Sequence, residues 1–136
     1  MSFNSPNVYY LENDDFDTQT YQLRTHLVNP RTQRTFFDGI TIVMVQGNFC
    51  GFCTRFKPVF QRLADELSGG EIVFATIQID SPNADEQLFK NQKVIEMILH
   101  TPVAGVPMIV KFHQGLPVDV YKGAHEYDAF KQWVGN

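Results

Sequence analysis

The strands of this chain are predicted from runs of apolar residues. Residues 41–46 are mostly apolar and rich in branched side chains, which predicts a strand buried on both faces, and residues 72–79 predict a second buried strand. Residues 8–11 form a shorter run of the same kind and predict an edge strand. Residues 106–112 and 118–121 are separated by a loop with a glycine and predict a hairpin.

Helices are predicted where apolar residues recur at intervals of three and four. The clearest apolar stripe follows the first buried strand and predicts a helix that begins near Cys50 and ends at Gly69-Gly70. It consists of Phe56, Val59, Phe60, Leu63 and Leu67. Further helices are expected near residues 16–27, 84–99 and 126–134. This order of elements predicts an α/β fold with a mixed sheet of four to five strands and helices on both faces.

Composition predicts one soluble domain spanning residues 1–136. Hydrophobic residues make up 43% of the chain and the net charge is −4, with Lys and Arg scattered rather than clustered. Nucleic-acid binding is therefore not expected. The longest apolar run is residues 42–45, too short to span a bilayer, and the first thirty residues contain no run of signal-peptide length. We expect a cytoplasmic monomer without membrane contact.

The two cysteines, Cys50 and Cys53, are the main chemical feature of the sequence. A secreted disulfide scaffold would contain more cysteines, spread along the chain. A zinc site would need two more ligands, and none of the four histidines stands at finger spacing from this pair. No metal is expected, and the two residues are either a redox pair or incidental core residues.

A redox role follows if the helix begins at Cys50. Free backbone N–H groups and the helix dipole favour an anion at that position, and the thiolate is the species that attacks a disulfide. Cys53 lies about one turn further along the same face and could resolve a mixed disulfide on Cys50. No cofactor is needed beyond the redox-active Cys50–Cys53 disulfide.

Several motifs, in order along the chain, resemble the thioredoxin family. The segment Phe49-Cys50-Gly51-Phe52-Cys53 is similar to the Trp-Cys-Gly-Pro-Cys of thioredoxins and the Trp-Cys-Gly-His-Cys of protein disulfide isomerase domains. The other matching positions are Pro58, Gly105-Val106-Pro107, Gly115 and Gly123-Ala124. The resemblance extends to thioredoxin-like proteins of large DNA viruses, and it covers most of the chain except additions near residues 22–37 and 82–100.

This resemblance implies a thioredoxin fold and assigns roles to residues. Cys50 would be the nucleophile and Cys53 the resolving thiol, with a cis bond between Val106 and Pro107 facing them. The residues implied to contact substrate are Phe49, Gly51, Phe52, Val106, Pro107 and Gly123. The implied partners are protein disulfides and a thiol reductant or reductase.

The direction of the reaction is left open by three departures from the family pattern. Met44 stands where thioredoxins have a buried Asp, Phe49 replaces a Trp, and Phe52 replaces a Pro or His. A reductase of protein disulfides is the expected function. Its alternatives are a disulfide isomerase or oxidant, and a binding module with a thioredoxin fold and no turnover.

Overall fold

The computed structural model describes residues 3, 7–11, 15, 23, 39–47, 50–67, 70–78 and 107–135. Its strands are β1 (Val8–Tyr10), β2 (Ile40–Gln46), β3 (Ile72–Gln78), β4 (Met108–His113) and β5 (Leu116–Val120). Its helices are α1 (Gly51–Glu66) and α2 (Tyr127–Gly135). The helix expected at residues 84–99 lies outside the described residues.

The strands form one mixed sheet in the order β1-β3-β2-β4-β5. The three strands β1, β3 and β2 are parallel, while β4 is antiparallel to both β2 and β5. The strand β2 lies at the centre, and from Thr41 to Gln46 every side chain is buried. Its continuous apolar sequence therefore reflects contact on both faces, as the sequence predicted.

The turn between β4 and β5 is tighter than the sequence suggests. Only Gln114 and Gly115 separate the strands, with φ angles of 52° and 81°. Two positive φ angles are typical of a type I′ turn, whose twist matches the strands it joins. The prediction that β5 begins at residue 118 was wrong, because the strand begins at Leu116 and includes Pro117. A proline is tolerated here because β5 is an edge strand and its pairing with β4 shifts register beside Pro117.

One residue of the helix expected at 16–27 is described, and it does not support a helix there. The N–H of Leu23 donates to the carbonyl of Gly115 at 3.2 Å, which forms a β-bridge beside the hairpin turn. Leu23 is 1% exposed, so burial against the hairpin accompanies this pairing. The other residues of that segment lie outside the described part of the chain.

Both described helices pack against the same face of the sheet. The rings of Phe56 and Phe60 on α1 lie 5.0 and 5.7 Å from Phe130 on α2, and Phe60 lies 5.4 Å from Phe74 on β3. These four phenylalanines are at most 2% exposed. The many phenylalanines of the sequence thus hold α1, the element that carries the cysteines, firmly against the sheet.

Candidate active site

The cysteine motif connects the end of β2 to the first turn of α1. Cys50 is the N-cap residue, with extended backbone angles (φ −97°, ψ 115°). Its N–H donates to the carbonyl of Gly47 at 3.2 Å, and its Sγ accepts the N–H of Cys53 at 3.0 Å. A cysteine sulfur therefore does the capping that a Ser or Asp oxygen usually does, and any negative charge on it would be stabilised.

The two thiols have different surroundings. The two sulfurs are not joined in a disulfide, and Cys50 is 9% exposed whereas Cys53 is 0% exposed. Burial raises the pKa of the Cys53 thiol to about 12, and its hydrogen bond with Cys50 acts in the same direction. The backbone of Gly47 and the charge of Lys57 partly oppose this rise in pKa. Cys53 is therefore a buried, protonated thiol beneath a slightly exposed one.

An aromatic and cationic surface surrounds the opening above Cys50. Phe52 is 59% exposed, its ring centroid lies 4.5 Å from Cζ of Arg55, and it makes an edge contact with His125 at 6.2 Å. A Cβ on Gly51 would meet no described atom within 4 Å, so Gly51 itself faces open space among the described residues. This surface can contact an extended polypeptide that brings a disulfide to Cys50.

Pro107 lies at the same end of the sheet as the cysteine motif. It directly precedes β4, whose first residue Met108 pairs with Val45 near the end of β2. The start of β4 therefore lies beside the end of β2, from which the chain continues to Cys50. Phe49 and Val106 lie outside the described residues, so the cis form of the bond before Pro107 stays a prediction.

Gly123 lies in the loop between β5 and α2, which reaches the first turns of α1 through His125. The ring of His125 contacts Phe56 at 5.3 Å as well as Phe52. A Cβ on Gly123 would come within 2.7 Å of the Tyr121 ring. Any side chain at this position would therefore require the Tyr121 ring to shift.

Known proteins resemble the chain in sequence and in fold. The model of the thioredoxin family matches residues 32–136. The chain belongs to the thioredoxin family. It is 31% identical over 122 residues to a thioredoxin-like protein, 453L, of Invertebrate iridescent virus 6, covering 82% of this chain and 80% of that one. This relative agrees with the resemblance to viral members of the family.

Two longer proteins also resemble this thioredoxin-family chain, one in sequence and one in fold. Protein 196R of the same virus is 23% identical over 97 residues, which cover 71% of this chain and 51% of that protein. The zinc-bound form of human ERp44 superposes with a TM-score of 0.63 at 14% identity, covering 94% of this chain but 31% of that one. The latter likeness confirms the thioredoxin fold and nothing further.

The burial of two polar residues near the cysteines was not predicted from the sequence, which indicated only that Lys57 contributes positive charge there. Lys57 is 4% exposed, and Gln46 is 0% exposed with neither amide atom hydrogen-bonded to a described residue. The position of Lys57, one helical turn after Cys53, could have drawn attention to it. Gln46 directly precedes Gly47, and a glutamine that ends an apolar strand is usually expected at the surface.

Met44 occupies the core position expected for it. It is 0% exposed and belongs to the same core cluster as Cys53. A thioether cannot act as a base, so this thioredoxin-family site has no carboxylate at that position. Within the described ranges, no three His, Cys, Asp or Glu side chains lie together as a metal site would require. Neither of the two described helices is long and apolar enough to cross a membrane.

Proposed function

We propose that this thioredoxin-family protein reduces disulfides in other proteins through a dithiol–disulfide cycle of Cys50 and Cys53. The observation that carries the proposal is the 3.0 Å hydrogen bond from the Cys53 N–H to Cys50 Sγ. It holds the first sulfur at a helix N-terminus, where the thiolate is favoured, and keeps the second cysteine within one turn. The exposed Phe52 supports contact with a polypeptide beside the cysteine pair.

The cycle has two displacement steps. The Cys50 thiolate attacks one sulfur of the substrate disulfide, the substrate S–S bond breaks, and the other substrate sulfur leaves as a thiolate that takes a proton from water. Cys53 then loses its proton and attacks Cys50 Sγ, which releases the remaining substrate sulfur in the same way. The substrate gains two electrons and two protons, and Cys50–Cys53 becomes a disulfide.

The oxidised pair must then be reduced by a thiol reductant or a reductase. We place the cycle in a reducing compartment, the cytoplasm, because a dithiol reductase needs a continuous supply of electrons. The protein is proposed to act as a monomer and a single domain, with Phe49, Gly51, Phe52, Val106, Pro107 and Gly123 along the substrate groove. No group other than the cysteine pair takes part in the electron transfer.

Reduction of insulin disulfides with dithiothreitol as the electron donor tests this function. The protein should accelerate precipitation of the insulin B chain, and Cys50→Ser should abolish the acceleration. In a separate incubation with insulin and no dithiothreitol, Cys53→Ser should instead accumulate mixed disulfides on Cys50, because the resolving thiol is absent. If the unaltered protein gives no acceleration and Cys53→Ser traps no partner, a binding module without turnover is the better description.

The direction of the reaction is tested by the reduction potential of the Cys50–Cys53 disulfide, measured against glutathione. A potential near about −270 mV, the value typical of thioredoxin, would support the reductase. A potential near about −180 to −120 mV would indicate the isomerase or oxidant instead. The raised pKa of Cys53 supports the reductase, because a thiol that resists ionisation is a poor leaving group and its disulfide is less oxidising.

A further inference from the structure

The resolving step of the proposed cycle requires a buried thiol to ionise. Cys53 is 0% exposed, and the side chains that β2, β4 and α2 contribute to the core cluster around it are uncharged, among them Met44, Ile109 and Phe130. The only other titratable groups that act on it in the described structure are Cys50 and Lys57. Cys50 opposes ionisation, so among the described residues Lys57 is the one charged group that favours it.

Lys57 lies where its charge can act on the Cys53 sulfur. It follows Cys53 by one helical turn on α1, and the two residues belong to a stripe that continues through Phe60 and Ala64. All four of these residues are buried, so the stripe faces the interior. A buried ammonium interacts with nearby charges through a low-dielectric medium, which strengthens its effect on a thiolate.

The sheet also contributes a polar side chain beneath the first turns of α1, that of Gln46 on β2. Alternation along β2 puts its side chain on the same face as Met44, the face that α1 covers. It is 0% exposed and neither of its amide atoms has a described hydrogen-bond partner. The next residue, Gly47, contacts both cysteines, through its carbonyl for Cys50 and through its backbone for Cys53.

We propose that Lys57 is a positioning residue for the resolving step, with its buried ammonium stabilising the Cys53 thiolate as it forms. The inference rests on the proposed thiol–disulfide exchange. The Cys53 proton passes to water, the thiolate attacks Cys50 Sγ, the bond from Cys50 to the substrate breaks, and the departing sulfur takes a proton from water. The charge of Lys57 does not change, so it lowers the barrier without being consumed.

A stopped-flow reaction with one equivalent of dithiobis(nitrobenzoate) tests this role. The unaltered protein should release nitrothiobenzoate in two phases, the first from attack by Cys50 and the second from resolution by Cys53. Lys57→Met should slow the second phase about tenfold near pH 7 and displace its pH profile about one pH unit upward, since each pKa unit is a factor of ten. The first phase should change by less than about threefold, and Lys57→Arg should restore the second.

Gln46→Met is the matched control, because it also replaces a buried polar side chain with a thioether but removes no charge. Its second phase should change much less than that of Lys57→Met. Three results would each overturn the role of the Lys57 charge. The second phase could slow equally in Lys57→Met and Gln46→Met, both phases could slow equally in Lys57→Met, or the second phase of Lys57→Met could be unchanged. If Lys57→Met does not fold by circular dichroism, Lys57→Gln replaces it with the same expectations. Absence of any second phase in the unaltered protein would instead refute the proposed function.

Discussion

At the scale of single residues, the two sulfurs differ in access to solvent. Cys50 is 9% exposed and caps α1, whereas Cys53 is 0% exposed with a pKa raised by burial to about 12. Brief treatment of the reduced protein with iodoacetamide near neutral pH should therefore modify Cys50 almost exclusively. Mass spectrometry of the digested protein locates the adduct. Labelling chiefly at Cys53 would reverse the roles of the two cysteines.

Met44 gives a second prediction at this scale. Met44→Asp introduces a base into the core cluster that contains Cys53, so resolution should become faster near neutral pH. The same change buries an ionisable group and should lower the free energy of unfolding by an amount on the order of a few kcal/mol. The second stopped-flow phase and urea denaturation measure the two effects.

Met44→Leu is the control for this experiment, because it keeps the apolar volume and adds no base. Its resolution rate should match that of the unaltered protein. A folded Met44→Asp variant that resolves no faster would mean that the proton of Cys53 leaves by a route that does not pass this position.

At the scale of elements, the two-residue turn between β4 and β5 places a residue other than glycine at a positive φ angle. Gln114 has a φ of 52° and carries a Cβ, whereas Gly115 has a φ of 81° and does not. Gln114→Gly should raise the free energy of unfolding by about 0.5–1 kcal/mol, because it removes the steric penalty. Gly115→Ala should lower it by about 1–2 kcal/mol for the opposite reason.

Urea denaturation at constant pH measures both variants of the turn. The N–H of Gln114 donates to the carbonyl of Gly39 at 3.1 Å, a backbone bond that either substitution preserves. The two effects should therefore be opposite in sign. Two losses of similar size would show that side-chain contacts, rather than backbone angles, decide the stability of the turn.

The elements also show what sequence reasoning could and could not reach. The strands β2 and β3 were predicted within one residue at each end, because burial on both faces selects mostly apolar and branched residues. The helix α1 and the cysteine pair at its start were likewise predicted, from a stripe and a motif. The start of β5 was missed because Pro117 is acceptable only on an edge strand, and edge position depends on the order of the whole sheet.

Burial of polar residues near the site could not be predicted, because it depends on tertiary packing. A lysine in an amphipathic helix is normally solvated, and only the position of α1 over the sheet makes Lys57 4% exposed. Gln46 is buried for the same reason. The sequence therefore predicted which residues react, but not the polar groups that surround them.

At the scale of the whole molecule, a hydrogen bond ties the end of α1 to the start of α2. The hydroxyl of Tyr127 donates to the carboxylate of Glu66, which Arg62 also contacts at 3.2 Å. The hydrogen bond with Tyr127, and then Arg62, lower the pKa of Glu66 from 4.5. The same hydrogen bond raises the pKa of Tyr127 from 10.0. The hydrogen bond between Tyr127 and Glu66 is therefore fully formed at pH values above the pKa of Glu66 and below the pKa of Tyr127.

This link predicts a pH window of stability. The contribution of Glu66 is complete above its unfolded pKa and is lost as the pH falls through its lowered folded pKa. The contribution of Tyr127 is complete below its unfolded pKa and is lost as the pH rises through its raised folded pKa. Tyr127→Phe should thus destabilise the protein between about pH 5 and 9 and have a diminishing effect beyond both limits.

Urea denaturation of both proteins across the pH range measures that difference. In a Glu66→Gln background, Tyr127→Phe should no longer show the loss of effect at acid pH, since the carboxylate that titrates there is gone. A difference between the two proteins that stays constant from pH 3 to 11 would mean that ring packing, rather than the hydrogen bond, connects the helices.

The surroundings of Trp133 make it an optical reporter. It is the single tryptophan of the chain, and its indole N–H donates to Asp119 on β5 at 2.9 Å. Nζ of Lys111 lies 4.7 Å from its ring centroid, and Tyr121 lies 5.2 Å away. Its emission should therefore follow the docking of the C-terminal helix on the hairpin rather than the redox state of the sulfur pair. Fluorescence can then be recorded through a redox titration as a continuous measure of folding, free of interference from the chemistry.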